Sequence, residues 1–327
     1  MTRSAPPPLL FNRLALIGVG LIGSSIARAA RAQGVVPEIV VTARSSATRR
    51  RVAELGLADR VVESNAAAAA GADLVILCIP VGACGDVAKE IAPQLAPGTV
   101  VSDVGSVKGA VLREVGPHLP AHVHFVPAHP VAGTENSGPD AGFASLFVGR
   151  WCILTPPPET EPAAVERLAA FWRALGARVE LMAAEHHDLV LAITSHLPHL
   201  IAYTIVGTAD ELAEVTRSEV LKFSAGGFRD FTRIAASDPT MWRDVFLANK
   251  DAVMEMLGTF NEDLARLTRA IRRGDAEALF AHFTRTRAIR RGIVDIGQDS
   301  PASDFGRPHP DLPVAPLPRP YALSDDC

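Results

Sequence analysis

The chain has 327 residues, 48% of them hydrophobic and 21% charged, with a formal net charge of -4. That length suffices for two domains with separate cores. The mild acidity, with no cluster of Lys or Arg interleaved with aromatics, argues against a nucleic-acid surface. The opening M-T-R-S-A-P-P-P lacks the apolar stretch of a signal peptide, and the apolar run at 74–84 is too short to span a bilayer. Cys78, Cys84, Cys152 and Cys327 are scattered without C-x-x-C spacing, as in a reduced compartment. A cytoplasmic protein without membrane partners or structural disulfides is expected.

Residues 14–17 read as a buried strand that runs into Gly18, Gly20 and Gly23, spaced G-x-G-x-x-G, and then into a helix over 26–32. The first glycine permits the tight turn, the second lets a pyrophosphate approach the backbone, and the third lets helix and sheet pack closely. The opening amides of the helix, at Leu21 and Ile22, then face the anion. Strands at 38–42, 61–62, 73–79 and 100–103 alternate with helices at 46–55, 66–70 and 86–95, the pattern of right-handed βαβ units in a parallel, doubly wound sheet. Later strands are expected at 125–126 and 151–154, separated by a long loop that begins P-A-H-P-V-A-G-T-E-N-S-G. Loops of that length in a compact domain are more often functional than accidental. One more strand, at 178–182, is expected to close the sheet.

From about residue 163 the spacing turns helical, with Val165, Leu168, Ala169, Trp172 and Leu175 recurring on one face. Helices are expected at 187–206, 218–221, 240–261 and 276–291. The fold class is therefore α/β: an N-terminal Rossmann-type doubly wound parallel sheet over 10–182, a helical domain over 183–296, and a flexible Pro-rich tail over 297–327.

In an NAD site an acid at the end of the second strand bonds the ribose 2′-hydroxyl. Here that place reads V-T-A-R-S-S, with no acid. Arg44 can pair with a 2′-phosphate, and Ser45 and Ser46 can donate to it, which favours NADP over NAD. The alternative is that Arg44 stacks on the adenine of NAD or faces solvent.

Three further segments suggest a reacting centre: S-D-V-G-S-V-K-G at 102–109, A-H-P-V-A-G-T-E-N-S-G at 128–138 and T-S-H-L-P-H at 194–199. A fourth, A-G-G-F-R-D-F-T-R-I-A-A-S-D-P-T-M-W-R-D, covers 225–244. Through these motifs, in order over residues 12–292, the chain closely resembles the prephenate/arogenate dehydrogenases of tyrosine biosynthesis, also called cyclohexadienyl dehydrogenases. The resemblance implies oxidative decarboxylation with hydride transfer to NAD(P), and a helical C-terminal domain that forms a homodimer. A proton acceptor must reach the substrate 4-hydroxyl, and His129 is the candidate by chemistry and by match. Ser106 matches a family serine that bonds the histidine and the substrate or nicotinamide; on residues alone it could equally cap the helix starting near 107. Lys108 is read as a surface or cofactor-side charge.

Only the ring carboxylate of prephenate leaves, so a guanidinium clamped on it would stabilise the ground state. Arg233, in F-T-R-I-A, is matched instead to the side-chain carboxylate; Arg229 is a weaker candidate beside Asp230. The resemblance puts His196 and His199 at the substrate and nicotinamide pocket, with Pro198 kinking their helix. Their i, i+3 spacing could also suit a metal, but no third ligand has suitable spacing and none is expected. Glu135 matches a gating glutamate, against the alternative of an exposed loop carboxylate. His186, His187 and Asp188 are assigned to the helix start and packing, and Trp242 to the core. Two rivals remain: another dehydrogenase of the β-hydroxyacid type, which leaves H-P-V-A-G-T-E and F-T-R-I-A unexplained, and a non-catalytic NAD(P) sensor.

Overall fold

The computed structural model describes residues 9–134, 136–211 and 226–295. Glu135, the helix expected at 218–221 and the tail expected at 297–327 lie outside the described residues. Strand β1 (Arg13–Ile17) sits inside a parallel sheet and is apolar on both sides, as a strand covered on both faces must be. Leu14 and Leu16 point into one core, shared with Ile26 and Ala30 of α1 (Leu21–Gln33) and with Leu168 and Trp172 of α6 (Pro162–Ala174). Ala15 and Ile17 point into the other, shared with α3 (Asn65–Ala69), α4 (Cys84–Ile91) and α5 (Lys108–Val115).

With β2 (Glu38–Thr42), β3 (Arg60–Val62), β4 (Leu74–Leu77), β5 (Val100–Asp103) and β6 (His124–Phe125), the sheet has the order β3-β2-β1-β4-β5-β6, every pair parallel. Strand order reverses between β1 and β4. A crevice opens there at the carboxyl ends, the place where such sheets bind ligands. Helix α2 (Ser46–Glu54) follows β2.

The strand at 178–182 does not close this sheet. β7 (Ala128–Pro130), β8 (Trp151–Leu154) and β9 (Arg178–Leu181) form a separate three-stranded sheet, with β7 and β8 antiparallel and β8 and β9 parallel. Pro127 supplies the reason. It has no N–H to extend the β6 ladder, and the next amide, Ala128, donates to the Asp103 carboxylate instead. The chain changes direction there and places His129 in the middle of β7, opposite Ile153.

Beyond β9 the described chain is helical: α7 (Ala184–Leu191), a π-helical turn (Ala192–His196), α8 (Leu197–Asp210), α9 (Gly226–Thr232), a 3-10 turn (Arg233–Ala236), α10 (Pro239–Ala248), α11 (Lys250–Arg273) and α12 (Ala276–Asp295). The expected kink at Pro198 takes the form of the π turn just before it. Proline offers no N–H to the ladder and crowds the carbonyl four residues back, so the wider turn relieves both. The single helix expected at 240–261 is interrupted at Asn249, whose φ of -109° and ψ of 31° leave the helix. The chain divides into two compact units, one ending at Asn261 and one beginning at Glu262.

Candidate active site

The glycine turn is built as its spacing predicts. Gly18 adopts φ +97°, and a Cβ there would lie 2.3 Å from the carbonyl oxygen of Cys78. Its N–H donates to Thr42 O, while Cys78 N donates to Ile17 O, so the turn is tied between the ends of β2 and β4. A Cβ on Gly23 would lie 2.3 Å from Gly18 O, whereas one on Gly20 meets nothing within 4 Å. Gly20 is the N-cap of α1, which has neither a side-chain cap nor an acidic residue in its first turn. The hydroxyls of Ser24 and Ser25 turn back onto the carbonyls of Gly20 and Leu21 and do not compete for the first amides. Open space, free amides and a positive helix end fit a pyrophosphate.

At the end of β2, Arg44 is exposed. Ser45 is the N-cap of α2: its Oγ accepts from Thr48 N at 3.0 Å and shares a hydrogen bond with Thr48 Oγ1. A second guanidinium sits beside them, since Arg49 donates to the carbonyls of Ala43 and Arg44.

The turn from β5 to α5 overturns one expectation. Lys108 is not a surface charge; its side chain is fully buried, with Nζ 2.5 Å from Asp103 Oδ2 and 2.7 Å from Ala128 O. A buried ammonium is tolerated only with such partners. Asp103 also accepts from the amides of Gly105 and Ala128, so the pair fastens the strand that carries His129 to the main sheet. Ser106 is half-buried, one residue before Val107, the N-cap of α5. The cap is supplied from elsewhere: Asp188 accepts from Lys108 N and Gly109 N at 2.7 and 2.8 Å. Ser106 thus neither caps the helix nor hydrogen-bonds His129 among the described residues.

His129 is 8% exposed, and its Nδ1 lies 2.8 Å from Nε2 of His187. Nδ1 of His187 in turn lies 2.8 Å from Asp188 Oδ1. Burial holds His129 well below the usual histidine range, and the neighbouring His187, Lys108 and His196 push the same way. His187 is lowered by burial against the opposing pull of Asp188. Both imidazoles are neutral at pH 7.

His196 is fully buried and lowered to about 4, chiefly by burial. Its Nδ1 accepts from Asn249 Nδ2, which also donates to the Asp188 carbonyl, and its Nε2 has no partner among the described residues. His199 donates Nδ1–H to Ser195 O at 2.8 Å and stacks on Trp242, with centroids 3.6 Å apart and planes at 25°. Burial lowers it, and the charge of Arg233 adds to that effect. Arg233 itself is exposed at the start of the 3-10 turn. The fold therefore gathers His129, His187, Asp188 and Lys108 into one cluster, with His196 linked to it through Asn249 and His199 beside Trp242 and Arg233.

Family models agree with this architecture. Residues 26–181 match the prephenate dehydrogenase nucleotide-binding domain, and residues 183–285 match the prephenate dehydrogenase dimerization domain. The chain is 44% identical to the cyclohexadienyl dehydrogenase of Zymomonas mobilis over 286 residues, covering 87% of this chain and 97% of that one. The chain belongs to the prephenate dehydrogenase family. Among its other relatives, the prephenate dehydrogenase of Bacillus subtilis is 34% identical, over 86% of this chain and 76% of that one. The crystal structure of prephenate dehydrogenase from A. aeolicus, in complex with hydroxyphenyl propionate and NAD+, superposes with a TM-score of 0.81 at 33% identity, covering 86% of this chain and 98% of that chain. Like its family, this protein is an NAD(P)-dependent oxidoreductase that carries out oxidative decarboxylation in tyrosine biosynthesis.

Three members of the cluster escaped the motif reading. Lys108 follows Asp103 by five residues across a strand-to-helix turn, a spacing compatible with an internal pair. His187 and Asp188 are adjacent in sequence, but their alignment with His129 joins residues 58 apart.

Proposed function

We propose that this family member oxidises prephenate, arogenate or both, with His129 as the proton acceptor. The observation that carries the reading is the state of His129: a buried, neutral imidazole whose Nδ1 is already engaged, leaving Nε2 as the nitrogen able to take the proton of the substrate 4-hydroxyl. Bound NAD(P) supplies the acceptor for the hydride that leaves ring carbon 4. As the hydroxyl becomes a carbonyl, the ring carboxylate departs as carbon dioxide; its bonding pair moves into the ring, which becomes aromatic as the carbonyl oxygen becomes a phenolate and takes a proton back to give the phenol. A positioned general base contributes about 10² to 10⁴ in rate.

Gly18, Gly20, Gly23 and the amides of Leu21 and Ile22 hold the pyrophosphate. Ser106, at the carboxyl edge of the sheet with no partner for its hydroxyl among the described residues, bonds the nicotinamide or the substrate hydroxyl. Arg233 takes the side-chain carboxylate, where binding energy orients the ring without opposing loss of the other carboxylate. His199, fixed by Ser195 and Trp242, presents Nε2 to the same pocket, and His196 backs it. NADP is favoured over NAD: Arg44 is exposed, Arg49 adds a second guanidinium, and no acid stands at the strand end.

The functional division follows the domains at 10–182 and 183–296, and the working form is a cytoplasmic homodimer. The helical run Ala184–Asp210 is long and apolar enough to cross a membrane by length and composition, with a mean hydropathy of 1.6. Its His187, Asp188 and His196 are nonetheless hydrogen-bonded to protein partners, which suits a helix in a protein core and subunit interface.

The test is turnover with purified protein, each substrate paired with each cofactor. Reduced cofactor should appear together with 4-hydroxyphenylpyruvate from prephenate or tyrosine from arogenate. Absence of both products with either cofactor would overturn the proposal. A higher kcat/KM with NAD than with NADP would overturn the cofactor preference alone.

A further inference from the structure

Asp188 does two things at once. Its carboxylate closes the N-terminus of α5 by accepting from Lys108 N and Gly109 N, and Oδ1 also faces Nδ1 of His187 at 2.8 Å. Two backbone amides and the positive end of a helix favour the ionised carboxylate, which can only accept hydrogen bonds. The proton between Asp188 and His187 therefore sits on His187 Nδ1. His187 has no exposed side-chain surface and is kept neutral by burial, so it carries that one proton and its Nε2 is an acceptor. Nε2 faces Nδ1 of His129 at 2.8 Å, which must then be the donor. The chain of bonds leaves one tautomer for His129, with the proton on Nδ1 and a bare lone pair on Nε2.

We propose that His187 and Asp188 are the positioning pair of this enzyme: they lock His129 in the tautomer that can accept the substrate hydroxyl proton, and they share the positive charge that this transfer creates. The inference rests on His129 being the base. In the step itself the substrate O–H bond breaks, an N–H bond forms at His129 Nε2, and the resulting imidazolium keeps its Nδ1–H on His187. The Asp188 carboxylate, one ring further on, offsets part of the new charge in a cluster where Lys108 opposes it. Neither His187 nor Asp188 touches the reacting atoms.

Fixing a tautomer differs from merely filling space, and the difference can be measured. Asp188→Asn removes the charge and one acceptor position: with its amide N–H turned to His187 Nδ1, at the expense of the bond from Lys108 N to the same oxygen, the His187 proton moves to Nε2 and its partner, His129 Nδ1, must become an acceptor. His129 then offers N–H where the reaction needs a lone pair. A comparable substitution behind a catalytic histidine costs about 10⁴ in kcat. We expect Asp188→Asn to lower kcat by about 10²-fold or more, with substrate KM and cofactor Kd within about threefold of wild type. His187→Phe, which removes the acceptor, should behave similarly, while His187→Gln, whose Oε1 can accept from His129 Nδ1, should recover at least about tenfold of the lost kcat.

Nitrogen-15 NMR of histidine-labelled wild-type protein, with the His129→Asn spectrum for assignment, reads the tautomer without any variant of the pair. We expect a protonated Nδ1 and a bare Nε2 on His129 at pH 7.5. A protonated Nε2 overturns the inference, as does wild-type kcat in both His187→Phe and Asp188→Asn while His129→Asn is inactive. Should His129→Asn itself turn over at the wild-type rate, the assignment of the base fails instead, and the two failures are distinct.

Discussion

At the scale of single residues, burial governs the histidines. His129, His187, His196 and His199 are all held below the ordinary range, each chiefly by burial, His196 to about 4. In the unfolded chain these imidazoles take up protons near pH 6.5, whereas the folded protein refuses them until the pH is lower. Between those limits the unfolded state binds more protons, so stability is complete above about pH 6.5 and is lost as the pH falls toward 4. The urea midpoint should decline on acidification from pH 7 to pH 5; an unchanged midpoint would contradict neutral, buried imidazoles. The charged or titratable groups acting on His129 are His187 from α7, Lys108 from α5 and His196 from the π turn, and Asp188 reaches it only through His187.

Lys108 permits a sharper expectation. Lys108→Met leaves the Asp103 carboxylate buried beside Gly105 N and Ala128 N without its counter-charge, and should destabilise by about 3 to 5 kcal/mol. Adding Asp103→Asn, which can still accept from one of those amides, should restore part of the loss, as chemical denaturation of both variants would show. Equal stability of Lys108→Met and wild type would mean that the pair is dispensable.

Among the elements, the glycine turn separates packing from binding. Gly23 has a carbonyl oxygen where its Cβ would go, so Gly23→Ala should lower the melting temperature through overpacking, on the order of 1 to 3 kcal/mol. Gly20 has φ -84°, which alanine adopts readily, and nothing of the protein near its missing Cβ. Gly20→Ala should therefore melt like wild type yet weaken cofactor binding at least about tenfold, because the methyl occupies the approach of the pyrophosphate. Titration calorimetry with NAD and NADP checks this, and unaltered affinity would mean that the dinucleotide does not pass over Gly20. The π turn and the interruption at Asn249 show a different element-level logic. Each departs from α-helix where a polar group is wanted: Pro198 widens the turn that ends at His196, and Asn249 leaves its helix to bond both His196 and the Asp188 carbonyl.

For the whole molecule, the unit that begins at Glu262 leaves much apolar surface uncovered. Leu264 and Ile271 lie one heptad apart on α11, and on α12 Phe280 is 74% exposed and Phe283 56%. Isolated apolar residues on a surface are ordinary, but several large ones exposed on two successive helices are costly in a monomer. The proposed homodimer would cover these residues, so Ile271→Glu combined with Phe280→Glu should shift the sedimenting species from dimer to monomer. Wild-type protein that sediments as a monomer at micromolar concentration would remove this account.

Much of the architecture is legible without coordinates, because its causes are local. Apolar runs at 14–17 and 73–79, the three glycines and the helical spacing after 163 each specify their element through backbone sterics or one buried face. The same locality explains why Gly18, Gly20 and Gly23 stand where their spacing puts them. Tertiary structure alone decided the rest. The strand at 178–182 carries an ordinary strand pattern, and only Pro127, by ending the β6 ladder, assigns its partners to a second sheet. Lys108 reads as a surface or cofactor-side charge in one dimension, yet the fold buries it on Asp103 and Ala128. The line from Asp188 through His187 to His129 needs two segments 58 residues apart to meet within 2.8 Å. Short-range sterics write the elements into the sequence, whereas the proton that makes His129 a base is placed by partners that only chain folding brings together.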